Sequence, residues 1–373
     1  MMLGKAPFPL INKLVLENLK HRPVRNFLSA LVIGVMVTMV LTLVGLSEGV
    51  IEDSNRRSKG VGADILIRAP GSQILSFSTN FPEGILKLVA TFPHVKMVTG
   101  TLVVPTGGMW NYVTGIDLAA FNAMSGGFRF FEGGPFRDPL DVIVDEVYAK
   151  EHHLHAGATV KILNKDWRIC GVVEPGKLAR VMVQIAVLRD LTSAGSNKVT
   201  MGYVKLDDGA DVGQAVAAIR NKLGDYQIYS MDELISLTSV DSVPLLSGFI
   251  RVVIGLAVLI GSLVVFLSMY TAVLERTREI GVLKALGATP GYVLNVLLRE
   301  TTVLAIAGSV LGILLTYVTR WVIGWLLPSM PENIVYDWWP KAAAIALVGS
   351  LLGAVYPGLK AARQDAIEAL SYE

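Results

Sequence analysis

Cysteine is almost absent. Cys170 stands alone in 373 residues, so the chain forms no internal disulfide and offers no thiolate cluster to a metal. Net charge is also scarce: 33 basic residues against 31 acidic ones leave a formal charge of +2, which excludes the broad basic surface that nucleic-acid binding requires. The phosphate-cradling pattern G-x-x-x-x-G-K-[ST] does not occur. Its nearest approach, Glu174-Pro175-Gly176-Lys177-Leu178, lacks the first glycine and the hydroxyl residue, so this chain is not expected to hydrolyse ATP. No G-x-S-x-G nucleophile elbow is present, and no paired catalytic group presents itself.

The most telling deficit is local. Hydrophobic residues make up 52% of the chain, and four stretches contain no Asp, Glu, Lys or Arg: 27–47, 252–274, 301–319 and 342–359. Each has the roughly 18 or more apolar residues needed to cross a bilayer as a helix. Trp321, Trp325, Trp338 and Trp339 sit where interfacial anchors belong. The first stretch follows a basic segment but is too long for a signal-peptide core and lacks a small-x-small cleavage site, so it reads as an uncleaved anchor. Lys5, Lys13, Lys20, Arg22 and Arg25 precede span 1, and Arg276, Arg278, Lys284 and Arg299 lie between spans 2 and 3. That bias places both termini in the cytoplasm. The expected chain is therefore a multi-pass protein of the bacterial inner membrane. It starts with a cytoplasmic amphipathic helix at 1–26, in which Leu10, Ile11, Leu14, Val15 and Leu19 interleave with Lys13, Glu17 and Lys20. Span 1 follows at 27–47, an extracytoplasmic domain at 48–245, span 2 at 246–274, a cytoplasmic loop at 275–300, span 3 at 301–327, a short external connector at 328–337, span 4 at 338–359 and a cytoplasmic tail at 360–373.

Between Val61 and Tyr229, short β-like runs alternate with helix-like ones, which predicts an α/β or α+β domain inserted between spans 1 and 2. Strands are expected at 63–67, 95–104, 112–116, 141–144, 159–163, 167–173, 179–184 and 199–206, and helices at 83–91 and 211–223. His152, His153 and His155 fall close enough to suggest a transition-metal or haem site, but no cysteine or carboxylate pair completes the set. A solvated helix end running into Gly157 accounts for them without a metal and is the preferred reading.

Directly behind span 2 comes ERTREIGVLKALGATP, residues 275–290. Good helix formers lead to Gly287, a left-handed stop, and Thr289-Pro290 then caps and starts a second helix. By residue types alone this is either a well-capped connector or a short helix that docks into a partner's groove. RTREIGVLKALGAT resembles the signature of the FtsX-like permeases, the MacB-type ABC transporter subunits, in the loop between their second and third spans. The similarity extends to 16–37, to VGADILI at 61–67, to 141–173 and to YPGLKAARQDAIEAL at 356–370, where Ala366 stands in place of a frequent proline.

The resemblance implies a homodimeric four-span permease bound to a separate LolD/MacB-type ATPase, which would hold the ATP and Mg, with a periplasmic adaptor as a further partner. It also implies that Arg276, Arg278, Glu279, Ile280, Gly281, Leu283, Lys284, Ala285, Leu286, Gly287 and Ala288 form the coupling element. No ionisable residue lies within the core of a span, which weighs against an ion-driven carrier and for a lever. Gly308, Gly312, Gly349 and Gly353, in two G-x-x-x-G pairs, are candidates for close helix packing, either within a subunit or across a dimer. The expected activity is export of an amphiphile. The alternative is mechanical activation of an external cell-wall hydrolase, in the manner of FtsX itself.

Overall fold

A computed structural model describes residues 17, 20, 22–72, 79–107, 112–192, 197–237 and 244–363. The chain divides into two units. One is helical (1–47, 244–325 and 332–373) and the other β-rich (48–243 and 326–331). The first helix, α1 (Pro23–Lys59), covers the expected span and continues for a further stretch whose residues belong to the β-rich unit. Nothing in EGVIEDSNRRSK stops a helix, and Asp53 pairs with Arg56 and Arg57 at i+3 and i+4. The stop comes at Gly60-Val61-Gly62, where Gly62 adopts φ +75° and its N–H bonds back to the Lys59 carbonyl.

In the β-rich unit, β1 (Ile65–Arg68), β2 (Phe81–Pro82), α2 (Gly84–Val89), β3 (Val95–Pro105) and β4 (Tyr112–Ile116) come first. They are followed by α3 (Leu118–Ser125), β5 (Phe130–Gly133), β6 (Asp141–Asp145), α4 (Glu146–Glu151), β7 (Thr159–Ile162) and β8 (Lys165–Val173). The unit closes with β9 (Val181–Gln184), α5 (Ile185–Leu191), β10 (Lys198–Val199), β11 (Met201–Leu206), α6 (Val212–Leu223), β12 (Gln227–Ser230) and α7 (Met231–Leu237). The main sheet runs β12-β1-β11-β3-β4-β9-β6-β8-β5, with β7 on β8. Among the described residues, only β4/β9 and β6/β8 are parallel.

The long strand β3 serves two lobes. Its first part pairs with β11 and its end, Leu102–Pro105, pairs with β4. On one lobe α2 and α6 cover the sheet, with Leu86, Val216 and Ile219 packed on Ile65, Ile67 and Val204. On the other, Ala149 of α4 and Leu188 of α5 join Val142, Val144, Trp167 and Ile169. Aspartates at 117, 145 and 211 each accept backbone N–H bonds at a helix start, which fixes the β-to-α turns.

The helical unit contains α8 (Pro244–Glu275), α9 (Thr277–Ala285), α10 (Pro290–Leu326) and α11 (Trp338–Arg363). Among the described residues, α1, α8, α10 and α11 are long and apolar enough to span a membrane. Their contacts are small-residue contacts. A Cβ on Gly312 would fall 2.6 Å from the Gly34 carbonyl, and one on Gly353 2.3 Å from the Ser262 carbonyl, so α10 meets α1 and α11 meets α8 backbone to backbone. Hydroxyls reinforce both seams. Thr38 Oγ1 lies 2.8 Å from the carbonyl of Gly34 and 3.0 Å from that of Gly312, and Ser262 Oγ donates to Gly349 O at 2.8 Å.

Candidate coupling site

The site starts where α8 ends. Arg276 leaves helical geometry (φ −108°, ψ 15°), and α9 begins at Thr277, whose hydroxyl folds back onto the Val273 and Leu274 carbonyls at 3.1 and 2.9 Å. The other end closes with two reversed bonds, Gly287 N–H to Lys284 O (2.9 Å) and Ala288 N–H to Leu283 O (3.0 Å), with Gly287 at φ +94°. Only glycine takes that conformation without strain. Thr289 Oγ1 then accepts from Tyr292 N–H at 3.3 Å and caps α10, whose first residue is Pro290.

The helix has two faces. Thr277, Ile280 and Gly281 are buried, and Ile280 joins Val273, Val293, Leu297 and Ala361, one or more from each of α8, α10 and α11. The opposite side presents Arg278 and Glu279 together with Val282 (45% exposed), Leu283 (37%) and Leu286 (68%). Ala285 and Gly287 are also exposed, and Lys284 and Ala288 are half-buried. Ile280, Leu283 and Leu286, which recur at spacing three in the sequence, therefore do not share a face: Ile280 anchors the helix and the two leucines point away from the protein.

Charges pin the same region. Arg276 Nη1 lies 3.2 Å from Glu300 Oε2, with the two side chains 10% and 1% exposed. Glu275 accepts from Arg22 and, at 2.8 Å, from Arg25, which ties the end of α8 to the start of α1. Lys360 of α11 donates to Tyr270 Oη at 3.1 Å. Sequence reasoning did not find the Arg276–Glu300 pair. Its signal is the lone acid that closes the polar end of an apolar run, at the foot of the helix following the arginine.

The architecture is four long apolar helices with a β-rich insertion after the first. Residues 27–222, just over half of the chain, match the MacB-like periplasmic core domain, and residues 251–366 match the FtsX-like permease C-terminal domain. The chain belongs to the MacB/FtsX-type ABC transporter permease family. It is a multi-pass membrane protein. Neither matching family model describes an ATP-binding domain. This permease is 25% identical to the "Macrolide export ATP-binding/permease protein MacB" of Escherichia coli, over 97% of this chain and 60% of that one. It is 32% identical to the "Uncharacterized ABC transporter permease YknZ" of Bacillus subtilis, over 49% and 46% of the two chains. Among solved structures it is similar to the periplasmic region of MacB from Actinobacillus actinomycetemcomitans, at 16% identity and a TM-score of 0.36, over 47% of this chain and 92% of that one. It spans about 60% of the length of the Escherichia coli relative. The α9 stretch lies inside the FtsX-like match.

The other sequence candidates fall elsewhere. Gly308 and Gly312 pack on α1, and Gly349 and Gly353 on α8, all within one copy of the permease. The three histidines do not converge: His152 stacks on Tyr148 at 4.1 Å, His155 Nδ1 meets Glu132 Oε1 at 3.2 Å, and His153 takes a left-handed turn at φ +53°. Among the described residues, no group of three or more His, Cys, Asp or Glu side chains is placed to share a metal ion. Burial pushes the Cys170 thiol up to about 12, which keeps it protonated and unreactive. The amphipathic helix expected before Pro23 lies outside the described residues except for Glu17 and Lys20, which pair at 3.7 Å, and Arg22, which meets Glu275. Residues 364–370 of the closing segment also lie outside them.

Proposed function

We propose that this permease works with an ABC ATPase of the LolD/MacB type and carries ATP-driven motion from it to the β-rich unit, and that the motion exports an amphiphile. The observation that carries the proposal is the outward face of α9. Three exposed apolar side chains, Val282, Leu283 and Leu286, sit beside Arg278 and Glu279 on a helix held from behind by Ile280 and the Arg276–Glu300 pair. An apolar stripe with a charged rim is the form in which a helix fills a partner's groove, and a helix rigidly fixed at its back passes displacement on instead of absorbing it. The ATPase holds the ATP and Mg, α9 and both termini face the cytoplasm, and two copies of the permease form the assembly, with an adaptor as a further partner outside.

Co-purification in detergent, followed by an ATPase assay of the eluate, tests the reading. A bound ATPase is expected, and Leu286→Glu is expected to release it or to abolish its stimulation, because a carboxylate would be buried in an apolar groove. Unchanged binding and stimulation by the Leu286→Glu protein would overturn the assignment of α9.

A further inference from the structure

The part of α1 that belongs to the β-rich unit carries a charge cluster that the coupling site does not use. Asp53 is 9% exposed and is held by three guanidinium groups: Arg56 at 2.9 Å, Arg57 at 3.1 Å and Arg180 at 3.0 Å. The first two lie on its own helix, whereas Arg180 comes from the loop that leads into β9. Arg180 makes a second bond from the same nitrogen: Nη2 donates at 2.7 Å to the carbonyl of Ser329, just past the end of α10. Ser329 in turn donates through Oγ to Glu151 Oε1 of α4 at 2.8 Å. The backbone of Arg180 is fixed in the sheet layer, because its carbonyl accepts from Asp145 N–H at 2.9 Å.

The surrounding loop wraps the helix end closely. Leu178 N–H bonds to the Arg57 carbonyl at 3.0 Å, and a Cβ on Gly60 would fall 2.1 Å from the carbonyl of Gly176. One side chain, 19% exposed, thus joins the outgoing end of the first long helix, the outgoing end of the third and the β6/β9 layer. The planar guanidinium is suited to this, since it stays charged and offers several donors in fixed directions. Without Arg180, Asp53 still has Arg56 and Arg57 as partners.

We infer that Arg180 is the positioning residue through which the outgoing ends of α1 and α10 together move the β-rich unit. The inference rests on the transmission reading above and adds the joint at which transmission ends.

The test uses the full chain in complex with its ATPase in nanodiscs, in a Cys170→Ser background, with spin labels introduced by Leu140→Cys and Tyr336→Cys. Both positions are exposed, one in each unit. The unmodified joint is expected to show a change in label distance when ATP is added. Arg180→Met, which keeps the aliphatic stem but no charge or donor, is expected to hydrolyse ATP and melt like the parent protein while the distance change is lost. Arg180→Lys, which restores the charge and rotatable donors, is expected to recover at least part of it. If the parent protein hydrolyses ATP without any distance change, the transmission reading fails. If the parent moves and Arg180→Met moves equally, only the Arg180 inference fails. It fails too if Arg180→Met loses motion only together with its thermal transition, or if Arg180→Lys recovers nothing.

Discussion

Replacing Glu300 by Met removes one half of the buried Arg276–Glu300 pair and keeps the side-chain volume, so the loss is electrostatic. The carboxylate is 1% exposed and its partner guanidinium 10%, so neither is shielded by water when alone. Breaking a buried pair by removing one partner typically costs about 3–5 kcal/mol. The pair is engaged through one carboxylate oxygen, and Glu300 Oε1 has no hydrogen-bond partner among the described residues, so the low end applies: about 3 kcal/mol. For a unit of this size that corresponds to a fall of roughly 6–12 °C in melting temperature. Arg276→Met should cost a similar amount, because it strands the acid. The double variant should recover to within about 1 kcal/mol of the parent protein, because two apolar side chains then pack without a buried charge. Thermal unfolding of the purified protein in detergent, read by α-helical circular dichroism, gives all four values. A Glu300→Met variant as stable as the parent, or a double variant no better than either single one, would refute the view that this ion pair is desolvated and coupled.

Gly353→Val should destabilise the helical unit by about 3 kcal/mol or more, at the upper end of overpacking costs, because its Cβ meets the rigid Ser262 backbone; the same thermal assay reads it. Ile280→Ala should cost about 2–5 kcal/mol and lower the melting temperature, in contrast to Leu286→Glu, which at 68% exposure should leave stability within about 0.5 kcal/mol. Burial raises the Asp145 carboxyl to about 6 from its ordinary 3.8, against the pull of Arg180 and Arg57. The folded state thus prefers the protonated acid, so its contribution to stability is fully present below about pH 4, is lost as pH rises through about 6, and is level above that. The total change is on the order of 1–3 kcal/mol. Asp145→Asn keeps an oxygen for the Tyr148 N–H cap and should abolish that slope in hydrogen exchange of residues 141–151.

The four spans were legible because a charge-free run of sufficient length has few other uses, and the α9 turn was legible because glycine, threonine and proline act locally. The facing of α9 was not legible. Ile280 and Leu283 are chemically alike, and only the presence of Val293, Leu297 and Ala361 behind one of them makes it internal. The continuation of α1 to Lys59 was missed because its polar residues end an apolar run without ending a helix. In the β-rich unit, β5 and β12 are not legible in the sequence. Phe130–Gly133 and Gln227–Ser230 have little alternation of their own and become strands by pairing with distant β8 and β1. The sequence predicts the β7/β8 hairpin as strands at 159–163 and 167–173, with boundaries displaced, since its turn uses Leu163 and Asn164 at φ +49° and +60°, where glycine is the usual signal.

The glycine seam between α1 and α10 also bears on how much play the helical unit permits. Large side chains at a helix contact can change rotamer, and each such change lets one helix shift before its neighbour feels a force. At Gly34, Gly308 and Gly312 there is no rotamer to spend, and Thr38 bonds to carbonyls of both helices at once. The two helices are keyed together like a shaft in its collar. A shift of either helix at this seam is therefore shared by the other without backlash.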